Sequence, residues 1–148
     1  MRLLLDSLQR HLVAIISLIV AVTALFLSVE RSSRSEYQHN IRDASFRVLA
    51  ELSQLQLLID NAHYGSAPEN PIAGWARVNY MRDLAAVIPE PVPTALETLY
   101  ADWRDHVDDL GQQELPQAKQ SSLEANKAIT ASISDSRGAI RDVLKSLE

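Results

Sequence analysis

From Leu12 to Val29 the chain reads LVAIISLIVAVTALFLSV, eighteen consecutive residues without a charge. At 1.5 Å of rise per residue a helix of that length measures about 27 Å, close to the roughly 30 Å hydrocarbon core of a bilayer. Twelve of the eighteen are Leu, Ile, Val or Phe. At about −0.3 to −0.6 kcal/mol each, their insertion is worth roughly −4 to −7 kcal/mol. A helix on the surface of a water-soluble core needs a polar stripe, and this run has none. The pattern predicts a transmembrane helix over 12–29, after a short tail over 1–11. A cleavable signal peptide is the competing reading, since Arg2 and Arg10 precede the run and Val22-Thr23-Ala24 offers a cleavage position. Apolar residues continue past that position through Leu25, Phe26, Leu27 and Val29, whereas a signal-peptide core of about 7–15 residues ends before it. An uncleaved signal-anchor is the expectation.

After a juxtamembrane segment over 30–40 the pattern changes to an amphipathic period. Ile41, Val48, Leu55 and Ala62, with Ser45, Leu52 and Ile59 between them, keep the 3–4 spacing of a long, coiled-coil-like helix. Gly65 is placed to stop it as a C′ residue, and GSAPENP follows as a loop. Asn70 then reads as an N-cap with Pro71 at N1 of a second helix, whose inner face carries Trp75, Val78, Met81, Ala85 and Ile88. Pro89, Pro91 and Pro93 end it. Thr94 to Glu97 matches a capping box, opening a third helix with Leu96, Leu99, Tyr100, Trp103, Val107 and Leu110 inward and Gly111 at its close. A fourth helix starts at Pro116 or at a second capping box, Ser121 to Glu124. It runs to the end through Ala125, Ile129, Ile133, Ile140, Val143 and Leu147, with SISDSRG as its soft spot and a break near Gly138 as the alternative. No segment alternates as a β-strand does. The fold class expected is all-α: an N-terminal transmembrane helix followed, over 41–148, by an antiparallel bundle of about four helices, two long and two short.

Charge narrows the partners. With Arg2, Arg10 and Asp6 set aside, 12 Lys and Arg face 18 Asp and Glu, so nucleic acid is an unsuitable partner and the lipid bilayer is the expected one. Arg31, Arg34, Arg42 and Arg47 form a basic stretch after the span, opposing Arg2 and Arg10 before it. The positive-inside count slightly favours a cytoplasmic C-terminus. A short tail with an early Arg is nevertheless the layout of a signal-anchor, and an exported, periplasmic domain is expected. The absence of Cys removes disulfides, thiolate zinc sites, iron–sulfur clusters and covalent haem.

Candidate chemistry is thin. Glu36 and His39 have the E-x-x-H spacing of di-iron bundles, but no second copy exists. Asp60 with His63, and Asp102 with His106 and Asp109, have spacings that could meet a divalent ion, yet such sets on helices usually form solvated surface. His63 is expected to cap the helix end at Gly65. Met81 and His106 are the one conceivable haem pair, and Met81 on an apolar stripe is expected as core. Trp75 and Trp103 are expected as packing anchors. No catalytic, cofactor-binding or metal residues are assigned, and the chain is expected not to be an enzyme.

The segments GWARVNYMRDLAAVIPEPVP and HLVAIISLIVAVTALF, with Gly74-Trp75, Arg82-Asp83-Leu84 and Pro89 before alternating prolines, resemble a family of small bacterial single-span membrane proteins without an assigned activity. The resemblance implies an inner-membrane address and nothing about chemistry. Arg82-Asp83 on its own suggests a local salt bridge. The expected role is a non-enzymatic interaction, accessory or scaffold domain in the cell envelope. The alternative is a sensor-like ligand-binding bundle that acts through a partner.

Within the span, Ala14, Ser17, Ala21, Ala24 and Ser28 recur at spacings of 3, 4, 3 and 4. In lipid, a line of small side chains lets two helix backbones approach closely. A period near 3.5 points to a left-handed crossing with a second copy or another single-span protein. Ser45, Leu52 and Ile59 share the heptad register of Ser17 and Ala24, which would carry one partner onward from the bilayer. Cysteines introduced singly along 14–28 are expected to cross-link with a period of about 3.5 residues. Ala21→Leu should abolish that pattern, and uniform cross-linking would contradict the pairing.

Overall fold

The computed structural model describes residues 2–65, 71–111 and 116–147, with side chains described from Ile16 onward except at 27, 29–34 and 116. All regular structure among them is helical: α1 (Arg2–Tyr64), α2 (Pro71–Ala85), α3 (Val92–His106) with a 3-10 turn (Val107–Asp109) directly after it, and α4 (Pro116–Ser146). The chain divides into two compact units, 1–39 and 40–148. In the first, the described side chains of Ile16, Leu18, Ile19, Val20, Val22, Leu25 and Phe26 are exposed. Thr23 Oγ1 donates to the Ile19 carbonyl at 2.8 Å. Among the described residues no helix is long and apolar enough to cross a membrane. The run 12–29 falls partly outside them, because the side chains of 12–15, 27 and 29 are not described.

The second unit is an antiparallel bundle, as side-chain bonds between neighbouring helices show. Numbers rising along α1 meet numbers falling along α4: Arg42 bonds to Leu147, Gln56 to Thr130 and His63 to Ser122. Ser132 and Ser136 of α4 bond to Asp102 and Ala95 of α3, again antiparallel. Arg82 of α2 meets Glu97 of α3, while Trp75 meets Trp103. α1 and α4 thus form a long pair, with the short α2–α3 pair packed on part of it.

The core follows the amphipathic period closely. Ile41, Ser45, Val48, Leu52, Leu55 and Ile59 of α1 are all at most 1% exposed. Val78, Met81, Ala85 and Ile88 face inward from α2 and its exit, Leu96, Leu99 and Trp103 from α3, and Ile129, Ile133, Ile140 and Val143 from α4. Burial of such side chains is the main favourable term, about 1.5–3 kcal/mol each before entropy is charged against it.

Several local expectations are corrected. Helix α3 begins at Val92, after the cis Glu90–Pro91 peptide, so the run 94–97 lies inside it and makes no capping box. Thr94 Oγ1 instead donates to Glu90 at 2.9 Å, and Glu97 pairs with Arg82. Proline at the helix start overrides the Thr signal because its fixed φ suits the first turn and it lacks an N–H to satisfy. Gly111 does not end α3 itself: the α-helix gives way at His106 to the 3-10 turn, and Gly111 follows it at φ 80°, where a Cβ would be strained. Gly65 stops α1 without a left-handed conformation, its N–H still bonding to the Asn61 carbonyl at 2.7 Å.

Of the two starts offered for α4, Pro116 is the observed one, and no break occurs near Gly138. The serines of that stretch explain why: Ser132 and Ser136 are core residues, bonded to α3. Ser45, Leu52 and Ile59 are likewise sealed inside the bundle at 0% exposure, so they are not available to carry a partner from the Ser17–Ala24 register.

Nothing lies within 4 Å of a Cβ added at Gly138, inside α4. Gly138→Ala should stabilise the bundle by roughly 0.5–1 kcal/mol, and Leu52→Ala should destabilise it by about 2–5 kcal/mol. Urea unfolding of the purified chain checks both, and equal midpoints for the two variants would contradict the packing described.

Candidate functional site

The most polar region of the bundle interior is the α1–α4 contact. Gln56, Asp60 and His63 fall four and three apart on one face of α1, and Ser122, Asn126 and Thr130 fall four apart on α4. Antiparallel pairing brings the two rows together. Gln56 Nε2 donates to Asp60 Oδ1 at 2.9 Å and to Thr130 Oγ1 at 3.1 Å. Asn126 Nδ2 lies 3.4 Å from both the Ile59 carbonyl and Asp60 Oδ1. His63 Nδ1 is 2.9 Å from Ser122 Oγ, and its ring meets Tyr64 edge-on at 4.4 Å. Farther along, Ser132 donates to Asp102 of α3. The seam leaves Gln56 Oε1 buried without an acceptor role.

A serine beside a histidine invites comparison with an activated nucleophile, but the geometry is structural. Ser122 is 0% exposed, and Asp60 directs its carboxylate to Gln56 and Asn126. A nucleophile needs substrate access and a base oriented by a third group. From the last turn of α1, His63 therefore joins two helices.

On the opposite side, α2 and α3 meet through aromatic rings. Trp103 is fully buried, and a Cβ at Gly74 would collide with its ring atoms, so the absence of a side chain at 74 is what lets α2 approach. Trp75 stands edge-on to Trp103 at 6.3 Å and to Tyr100 at 5.7 Å, favourable T-shaped arrangements. The Arg82 guanidinium lies 4.0 Å over the Tyr100 ring and donates to Glu97 at 2.7 Å. That bond with Glu97 holds the Arg82 pKa above its ordinary value. Arg82 thus bridges α2 and α3, not a local pair with Asp83. Nearby, Arg104 donates to Asp105 at 2.7 Å, which lowers the pKa of that carboxyl and raises that of the guanidinium. Trp103 Nε1 is buried with no acceptor.

The other chemical candidates are not brought together. Met81 is a core residue, and Arg82 stands level with Glu97, nine residues before His106. At 1.5 Å per residue that separates Met81 from His106 by about 13 Å along the bundle, too far for two axial ligands of one haem. Asp102 turns to Ser132, away from any shared site with His106 and Asp109. Among the described residues no group of three or more His, Asp or Glu could hold a metal ion. Glu36 and His39 are exposed. Of the small-residue stripe expected for a span, Ser17, Ala21, Ala24 and Ser28 are exposed, and the side chain of Ala14 lies outside the described residues.

Gly74 was missed as a contact because a lone glycine in a helix carries no periodic signal. The polar seam was missed because Ser122, Asn126 and Ser136 occupy heptad positions of α4 that an apolar pattern skips. Comparison with family models, curated proteins and solved structures gave no match.

Gly74→Ala should cost about 1–3 kcal/mol through overpacking against Trp103. Trp103→Ala should cost roughly 3–5 kcal/mol. If Gly74→Ala leaves the thermal midpoint unchanged, the close α2–α3 approach is wrong.

Proposed function

We propose that the chain is a single-span protein of the bacterial inner membrane whose helical bundle acts by binding, as an accessory or scaffold subunit of the cell envelope, and not by catalysis. The anchor is supported by the charge-free run over 12–29 and by the exposure of Ile16, Leu18, Ile19, Val20, Val22, Leu25 and Phe26. Large apolar side chains turned outward around most of a helix, with Ser17, Ala21, Ala24 and Ser28 on the remaining side, suit lipid better than water. The Thr23 hydroxyl is satisfied by its own helix, as a hydrocarbon surrounding requires. The observation that carries the binding role is the use made of the bundle's polar groups: His63, Asp60 and Asp102, and Arg82 at the outer edge, each join neighbouring helices.

A second reading, a ligand-sensing bundle acting through a partner, is favoured by the unpaired Trp103 Nε1 and Gln56 Oε1. Buried polar atoms without partners are what a small polar ligand would satisfy.

A reporter fused after the C-terminus, active only in the periplasm, should be active, and the chain should stay in the membrane pellet after alkaline extraction. Recovery in the soluble fraction would refute the anchor, and cytoplasmic activity would reverse the orientation. A metabolite that raises the melting temperature by several degrees would favour the sensing reading.

A further inference from the structure

We propose that the outward face of α1 in the bundle, marked by Phe46, Leu57 and Tyr64, docks against the same face of a second copy of the chain, the two helices running parallel. The three side chains are 59%, 54% and 73% exposed. At 100° per residue Phe46 and Tyr64 point the same way and Leu57 lies about 20° from them. Ala50 and Ser53, also exposed, stand between on the same face. Their spacing of 4, 3 and 4 from Phe46 to Leu57 is that of a two-stranded seam, and the seam position between Leu57 and Tyr64 is Asp60, whose carboxylate is turned to Asn126 of α4. Single exposed apolar residues are ordinary, whereas an aligned row on one helix is a surface for a partner.

Two features select a second copy as that partner. The polar member of the row already has its bonds: Ser53 Oγ donates to the Leu49 carbonyl at 2.9 Å and accepts from Arg137 at 3.4 Å. Covering it would strand no hydroxyl. The edges of the row are self-complementary. Arg42 and Asp43 lie at one height, about 40–60° to either side of Phe46. A two-fold axis parallel to α1 sets the left edge of one copy against the right edge of the other, so each Arg42 faces the other copy's Asp43. The parallel sense rests on the membrane anchor proposed above, which holds both copies in one orientation and raises their effective concentration. A row of five side chains makes a small interface, and pairing should depend on that tethering.

The chain has no cysteine, so each introduced thiol is unique. Phe46→Cys, Ala50→Cys, Ser53→Cys, Leu57→Cys and Tyr64→Cys would each be oxidised in the full chain in its native membrane. Exposed controls are Asp83→Cys on α2 and Glu124→Cys on α4. Same-residue disulfides are expected along the whole row, since facing Cβ atoms come within bonding reach, and at least tenfold less in the controls. Asp43→Arg should lower the yield at Phe46→Cys, because it would set two cations against each other across that edge. Disulfides confined to Ser53→Cys and Leu57→Cys would mean antiparallel pairing and overturn the proposal. So would equal yields on all faces, no dimer at any position, or cross-links to a different protein. Fractionation of the same samples reports the anchor separately: row-specific disulfides in a soluble fraction would support the face while refuting the anchor, and membrane-bound chain without them would do the reverse.

Discussion

The bundle depends on the antiparallel contact between α1 and α4, where hydrogen-bonded polar groups are buried among the apolar side chains of both helices. Helix α4 carries Ser122, Asn126 and Ser136 where its heptad would ordinarily place Leu or Ile. Those positions are at most 7% exposed. A buried polar group is costly when unpaired and worth only about 0.5–1.5 kcal/mol net when paired. The seam from Gln56 to Ser122 therefore gives less stability than a Leu-filled contact would, but it specifies register. Sliding α4 by one turn would part His63 from Ser122 and Gln56 from Thr130 at once.

The α2–α3 pair solves the same problem with different chemistry. There the close approach comes from a missing side chain, Gly74, and the filling comes from Trp103 with Trp75 and Tyr100 around it. Arg82 closes the outer edge by stacking on Tyr100 and bonding to Glu97. The short pair is thus anchored by large aromatic burial, and the long pair by a ladder of weaker, directional bonds. Titratable groups serve both contacts: His63 and Asp60 the first, Arg82 and Glu97 the second.

Much of this was legible in the chain itself. Helix positions, the all-α class, the two long and two short elements and the roles of Trp103 and Leu52 follow from period, proline and glycine. What was not legible has physical causes. Glycine and serine carry no apolar signal, so Gly74 and the α4 serines could not be recognised as core. A capping box is only local chemistry, and Pro91 and Val92 moved the start of α3 ahead of it. Ser45, Leu52 and Ile59 belonged by period to the inner stripe of the bundle and also shared the register of Ser17 and Ala24, and their burial leaves only the first use. Of the candidate chemistry, the spacing of Asp60 and His63 was visible, but their use as helix-joining groups required knowing that α4 returns antiparallel.

The α1–α4 register is the claim on which the account stands, and a pair of spin-label distances tests it most directly. Labels at Arg42→Cys with Ser146→Cys should be close, because Arg42 Nη2 donates to the Leu147 carbonyl at 2.9 Å. Labels at Arg42→Cys with Lys119→Cys should be roughly 40 Å apart, the length of α4 between those levels at 1.5 Å per residue. A short distance for the second pair and a long one for the first would reverse the helix direction and contradict the seam.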